Sequence, residues 1–249
     1  MSTRWHIGAK GLKGAISAYA KRFDLLEVRI DDPSAEGAPS ATGPTLASLR
    51  RWRKAVPPAF NFAVVAGPHL AKVKASAAAD RELEAARVAI DVLQARCFVL
   101  RTPSDVTPTS LWRDRIGKLV AKFPNDVTRF VWEPSGVWEV DDAAAQARSW
   151  DAILAVDPVK EEVPAGPVAY VRLRAMGGTR AFGAAVLERV VDRVGERREV
   201  FAVIETETAL TEAKRLRGIV QAARSGARPQ GRLVRPRGGS IVVRDDEQE

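Results

Sequence analysis

Arg172 and Arg174 stand two residues apart inside the apolar run AYVRLRAMGG, residues 169–178. In a β-strand that spacing aims both guanidinium groups at one face together with Tyr170, while Val171 and Leu173 face the other way. Guanidinium groups bound for an interior need partners, because an isolated charge in a low-dielectric medium is costly. Glu27, Glu133, Asp157 and Glu205 lie in or at the ends of other apolar runs and are the available carboxylates. Two chemistries follow. In one, the charges satisfy each other as ion pairs. In the other, Arg172 or Arg174 forks onto a carboxylate or phosphate of a ligand, with Arg29 and Lys10 as further anion contacts. Glu133 or Asp157 would then be the general base, and Glu27, His69, Glu205 and Tyr170 would line the pocket. Gly177 and Gly178 would let backbone N–H groups approach the anion.

The elements that must position these groups read as eight short strands separated by helical segments. The strands are WHIG (5–8), LLEVRI (25–30), NFAVVA (61–66), CFVL (97–100), RFVWE (129–133), AILAV (152–156), VAYVRLR (168–174) and VFAVIE (200–205). Most are continuous apolar runs, the pattern of parallel strands covered on both faces. Helical spacing recurs between them, as in Leu83, Ala86, Ile90 and Leu93, or Leu187, Val190, Val191 and Val194. The link AVDPVKEEVPAGP after strand six holds three prolines and no helical pattern. Eight strands alternating with helices over 249 residues predict a single α/β TIM-barrel-like (β/α)8 domain, irregular around strand six. A doubly wound open sheet is the alternative. In a barrel the site lies at the C-terminal strand ends, where Lys10, Glu27, Arg29, His69, Arg101, Glu133, Asp157, Arg172, Arg174 and Glu205 stand.

Composition narrows the function classes. The formal net charge is +8, which favours anionic partners. Part of the excess lies in residues 225–249, a basic-then-acidic segment that reads as a flexible tail following a domain of residues 1–224. That tail and the basic surface keep nucleic acid open as a partner, beside an anionic small molecule or a protein. Neither a signal-peptide pattern nor an apolar run of membrane-spanning length is found, so the expected address is cytoplasmic, with no membrane partner. Cys97, the single cysteine, lies in CFVL and reads as a buried thiol. IGAKGLKG lacks the G-x-G-x-x-G spacing, and Walker, G-x-S-x-G and H-E-x-x-H motifs are missing, so no cofactor is expected. With only His6 and His69 the chain is poorly supplied for a metal, and none is expected. Trp132, Trp138 and Trp150 read as packing residues with Phe130.

The order RWHIGAKG, YAKRFDLLEV, RRWRKAVPPAFNFAV, PVAYVRLRAMGG and TEAKRLRGIV resembles the YecE-like proteins, known as domain of unknown function 72, over nearly all of residues 4–222. The resemblance implies a TIM-barrel-like fold and no established reaction. Glu27 falls on the glutamate of the family's V-E-x-N strand, Glu133 on its strand-five glutamate, Asp157 on an aspartate after strand six, and Arg172 on the arginine of Y-v-R-l-H-G. Other positions depart from the pattern. Arg29 replaces the asparagine, Val65 a lysine, Arg174 the histidine and Ala175 the glycine, and Ile204, Glu205 and Thr206 replace F-N-N. The resemblance therefore implies a divergent barrel with a degenerate active site. A binding or scaffold role for an anionic ligand or protein partner follows, and the alternative is a hydrolase or isomerase acting on an anionic or phosphorylated small molecule or a phosphodiester.

Overall fold

The computed structural model describes residues 3–9, 11–12, 14–31, 43–123, 127–174 and 181–225. Its strands are β1 (Arg4–Ala9), β2 (Leu25–Arg29), β3 (Asn61–Val65), β4 (Cys97–Arg101), β5 (Arg129–Glu133), β6 (Ile153–Val156), β7 (Val168–Arg174) and β8 (Glu199–Glu205). The helices are α1 (Ile16–Ala20), α2 (Leu46–Ala55), α3 (Pro68–Ala71), α4 (Ala77–Leu93), α5 (Ser110–Val120), α6 (Val140–Ser149), α7 (Ala184–Val194) and α8 (Ala209–Arg224). Every strand pairs in parallel with its sequence neighbours and β8 closes on β1, so the sheet is a closed barrel rather than an open one. The apolar runs locate each strand to within one residue at either end, because most positions on both faces of these strands are buried.

Side chains alternate across the barrel wall and divide the core in two. Phe62, Phe98, Trp132, Val171 and Ile204 face outward into one continuous shell with the helix stripes, including Leu187, Val190 and Val194 of α7. Leu25, Ala63, Cys97, Val131, Tyr170 and Phe201 form a smaller cluster inside the barrel. Burial there pushes the Cys97 thiol up to about 12, so it stays protonated. Close approach of β1 to β2 requires Gly8, since a Cβ at that position would lie 2.4 Å from the Leu25 carbonyl oxygen. Trp132 packs edge-on against Trp138 and Trp150, at centroid separations of 4.7 and 5.2 Å, within the outer shell. Phe130 instead meets the rings of Phe98 and Phe123 edge-on.

No helix connects β6 to β7. The free carbonyls of this link are answered by arginines from the following crossover: Arg193 donates to Pro158 and Val159, and Arg197 to Val163, Pro164 and Gly166. Buried or half-buried carbonyls must find donors, and long basic side chains supply here what a helix would have supplied internally. The short helix α3, which has no periodicity in the sequence, depends on a similar device. Glu82 of α4, fully buried, accepts from the Leu70 backbone N–H at 2.7 Å. Among the described residues no helix is long and apolar enough to cross a membrane. The tail of residues 226–249, Lys10, Gly177 and Gly178 lie outside the described residues.

Candidate functional site at the barrel mouth

Inside the barrel, the apolar layer that holds Tyr170 and Phe201 gives way to a layer of charges toward the C-terminal ends. Arg172 is the centre of this layer, with its side chain only 2% exposed. Its Nε donates to Glu133 at 3.0 Å. Its Nη1 donates to Glu27 at 2.8 Å and to Glu205 at 2.6 Å, and its Nη2 donates to Glu27 at 2.5 Å. Three carboxylates from β2, β5 and β8 thus converge on one guanidinium. Tyr170, one pleat below, donates its hydroxyl to the same Glu27 at 2.5 Å.

Two further arginines complete the layer. Arg174 reaches Glu133 with Nη2 and stands 3.7 Å from Glu205, its cross-strand neighbour. Arg101 stands 3.2 Å from Glu133, which is its neighbour across the β4–β5 ladder. Arg101, Arg172 and Arg174 therefore balance Glu27, Glu133 and Glu205 charge for charge. The difference between the arginines is exposure: the Arg174 and Arg101 side chains are 36% and 40% open to solvent, so both reach the rim.

Protonation follows from these contacts. Burial pushes the Glu27 carboxyl upward, but the Arg172 guanidinium beside it outweighs burial and holds it below the ordinary range. Burial works against the charge on Arg172, and Glu27 with its neighbours overcomes it and raises the guanidinium further. Burial lowers Arg174, and burial together with the like charge of Arg172 lowers Arg101. Tyr170 is raised well above its ordinary value by burial and by Glu27, so it remains a hydroxyl donor.

Asp157 differs from the other carboxylates. It follows the last residue of β6 on the parity that faces the barrel interior, and it is buried. Its Oδ1 accepts from the Val159 backbone N–H at 3.0 Å, while Oδ2 has no hydrogen-bond partner. Lys160 stands 3.9 Å away. Burial raises its carboxyl above the usual aspartate range.

Of the residues singled out from the sequence, Glu27, Glu133, Tyr170, Arg172, Arg174 and Glu205 are brought together by direct contacts. Arg29 is not among them: it pairs with Asp31 at 2.6 Å and is more than half exposed. His69 points to Glu82, with Nδ1 2.8 Å from the carboxylate. Gly67 makes room for that carboxylate, since a Cβ there would lie 2.4 Å from it. Among the described residues no group of three or more histidine, cysteine, aspartate or glutamate side chains is arranged to hold a metal ion.

A second charged layer closes the opposite end of the barrel. Glu199, the first residue of β8, has a side chain 4% exposed and is approached by Arg129 at 2.9 Å, Arg96 at 3.1 Å, His6 at 3.4 Å and Arg4 at 3.8 Å. The other ring nitrogen of His6 lies 2.9 Å from the Asn61 amide. This lower layer is the functional candidate that the sequence did not single out, and the sequence places Arg101 at the exit of β4 without a role. The parity rule reaches both, because Glu199 shares its face with Phe201, Val203 and Glu205, and Arg101 shares its face with Cys97 and Val99.

No protein-family model matches the chain, and no curated protein matches it significantly. Solved structures do resemble it in fold. A DUF72 family protein of Enterococcus faecalis V583 superposes with a TM-score of 0.67 at 13% identity, covering 87% of this chain and 95% of its own. A DUF72 family protein of Thermotoga maritima MSB8 gives 0.63 at 14% identity, covering 90% and 100%. A xylose isomerase domain containing protein of Salmonella typhimurium LT2 gives 0.53 at 16% identity, covering 90% and 96%. These structures share the eight-stranded parallel barrel that the strand pattern of the sequence predicts.

Proposed function

We propose that this chain is a divergent YecE-like (DUF72) barrel that works by binding, and that it takes a small anion at the C-terminal mouth through Arg174 and Arg101. The observation that carries this reading is the saturation of Arg172. A guanidinium held by three carboxylates cannot fork onto a ligand without leaving buried charges unpaired, which costs about 3–5 kcal/mol. Glu27, Glu133 and Glu205 are likewise committed to arginines, so none of them stands ready as a general base. The half-exposed guanidiniums at the rim retain donors for a carboxylate or phosphate. Arg174 replacing the family's histidine adds positive charge where the ligand would sit.

The test is a thermal-shift screen of the purified chain against phosphates, sugar phosphates, nucleotides and carboxylates. At least one anion should raise the melting temperature, and Arg174→Gln should abolish the rise while the variant stays folded. A rise unaffected by both Arg174→Gln and Arg101→Gln, or no rise with any anion, would overturn the reading and direct attention to a protein partner.

Asp157 supports a second reading, in which the barrel is a hydrolase or isomerase of an anionic or phosphorylated substrate. A buried carboxyl raised by burial above the usual aspartate range, with an oxygen that accepts no hydrogen bond, is equipped to hold and pass a proton. Under this reading Asp157→Asn abolishes turnover of whatever anion the screen identifies, without weakening its binding.

A further inference from the structure

A large cavity bordered by described residues lies away from the mouth. It lies at the opposite end, beneath the N-terminal ends of β1, β3, β4 and β5, with a volume of about 880 Å³. That size suits a small organic ligand, for which cavities of roughly 300–1,000 Å³ are usual. Its lining is one-sided in charge. Arg4, Arg53, Arg87, Arg96 and Lys122 face it, and Asp91 is the one carboxylate among the described lining residues. Phe60, Ile90 and Phe123 supply apolar wall, and the buried His6 and Asn61 close its inner end.

Part of this positive charge has a structural explanation. Cations near helix C-termini complement the carbonyls that end the helix, and Arg53 does this, donating to Pro57, Phe60 and Leu93. Arg4 and Arg96 are different. They stand at strand ends, and both turn to Glu199, whose two oxygens are already engaged by Arg129 and His6. One negative charge thus meets three guanidiniums, and Arg96 and Arg4 are 40% and 71% exposed on the cavity side. Both of these arginines line the cavity.

The geometry points to a second ligand site at the N-terminal end of the barrel, for a small organic anion whose carboxylate or phosphate meets Arg96, Arg4 and Lys122 while an apolar body rests on Phe60, Ile90 and Phe123. It is separate from the mouth and does not rest on the reading given above. Phosphate and carboxylate share the chemistry that these cations recognise, and paired probes tell them apart.

The experiment is isothermal titration calorimetry of the full chain with phenyl phosphate, benzoate and inorganic phosphate. Phenyl phosphate or benzoate should bind with Kd below about 1 mM, and whichever binds tighter names the head group. Inorganic phosphate should bind more weakly, because it leaves the apolar wall uncovered. Arg96→Gln should weaken binding about tenfold, the scale of one charge-assisted hydrogen bond. Lys122→Gln, at an exposed position outside the Glu199 cluster, should do the same in a chain whose folding is untouched. Arg174→Gln should leave the affinity unchanged. No binding of either aromatic probe, equal binding of inorganic phosphate, or a loss in Arg174→Gln with Lys122→Gln unaffected would each overturn the proposal.

Discussion

The two ends of the barrel solve the same problem in inverted form. At the C-terminal mouth a buried arginine, Arg172, is wrapped by three carboxylates. At the N-terminal end a buried carboxylate, Glu199, is wrapped by three arginines and a histidine. Between them lies an apolar layer containing Leu25, Val131 and Phe201. Among the described residues the Arg172 cluster is balanced, because Arg101 and Arg174 bring its positive charges to equality with Glu27, Glu133 and Glu205. Among the described residues the Glu199 cluster is unbalanced, and its Arg96 and Arg4 side chains are 40% and 71% exposed. The balanced, water-poor contacts of Arg172 lock the strands to one another, whereas the unbalanced cluster around Glu199 borders the cavity proposed above as a ligand site. The position that a barrel usually gives to chemistry is here the more self-contained of the two.

That contrast can be broken by substitution. Glu133 accepts from or pairs with Arg172, Arg101 and Arg174 together, so Glu133→Leu should produce the largest loss, about 3–5 kcal/mol in urea unfolding. Glu199→Leu should cost less, about 1–3 kcal/mol, because water can solvate Arg4 and Arg96 once their partner is gone. A Glu199 variant as damaging as the Glu133 variant would erase the distinction between the ends.

Acid should sharpen it. Burial keeps His6 below its ordinary value, although Glu199 beside it acts in the other direction. The unfolded chain therefore binds that proton first, and the stability it carries is lost as pH falls from about 6.5. At the other end Glu27, held low by Arg172 against the effect of burial, contributes stability that is lost only as pH falls through the carboxylate range, from about 4.3 downward. The N-terminal end should thus weaken first. His6→Gln should remove the part of the pH dependence near 6.5 and leave the acid limb in place, as read from unfolding free energy against pH. Asp157 has the opposite sign: its raised carboxyl opposes folding when ionised, so the stability of Asp157→Asn relative to the parent should be greatest at neutral pH and shrink toward acid.

The smallest effect belongs to Arg29. Its exposed pair with Asp31 should contribute no more than about 0.5 kcal/mol, so Arg29→Ala should leave both unfolding and anion binding at the mouth almost unchanged.

How far the sequence reaches depends on which physical rule governs each residue. Continuous apolar runs mark a strand covered on both faces, so all eight strands and the barrel follow from them, and the prolines of residues 155–167 mark the crossover without a helix. Period-two alternation puts Arg172 and Arg174 on the inner face, and the need to neutralise them summons Glu27, Glu133 and Glu205. Alternation does not say which of several carboxylates a given arginine meets, so the commitment of Arg172 to three of them at once was not legible. His69 illustrates a second limit. Its partner Glu82 belongs to a helix whose sequence shows only its apolar stripe, and the carboxylate is buried because it ends a neighbouring helix turn. The N-terminal layer is marked in the sequence only by alternation through Phe201 to Glu199. Its arginines Arg96 and Arg129 stand just before or at a strand start, where basic residues are equally common on solvated turns.

The division of labour between the neighbouring arginines is tested most directly by urea unfolding of Arg172→Met and Arg174→Gln side by side at neutral pH. Arg172→Met strands three carboxylates in the barrel and should lose about 3–5 kcal/mol. Arg174→Gln, at the rim, should lose no more than about 1 kcal/mol. Equal losses would contradict the account, because Arg174 would then be as much a part of the lock as Arg172 and no longer available to a ligand.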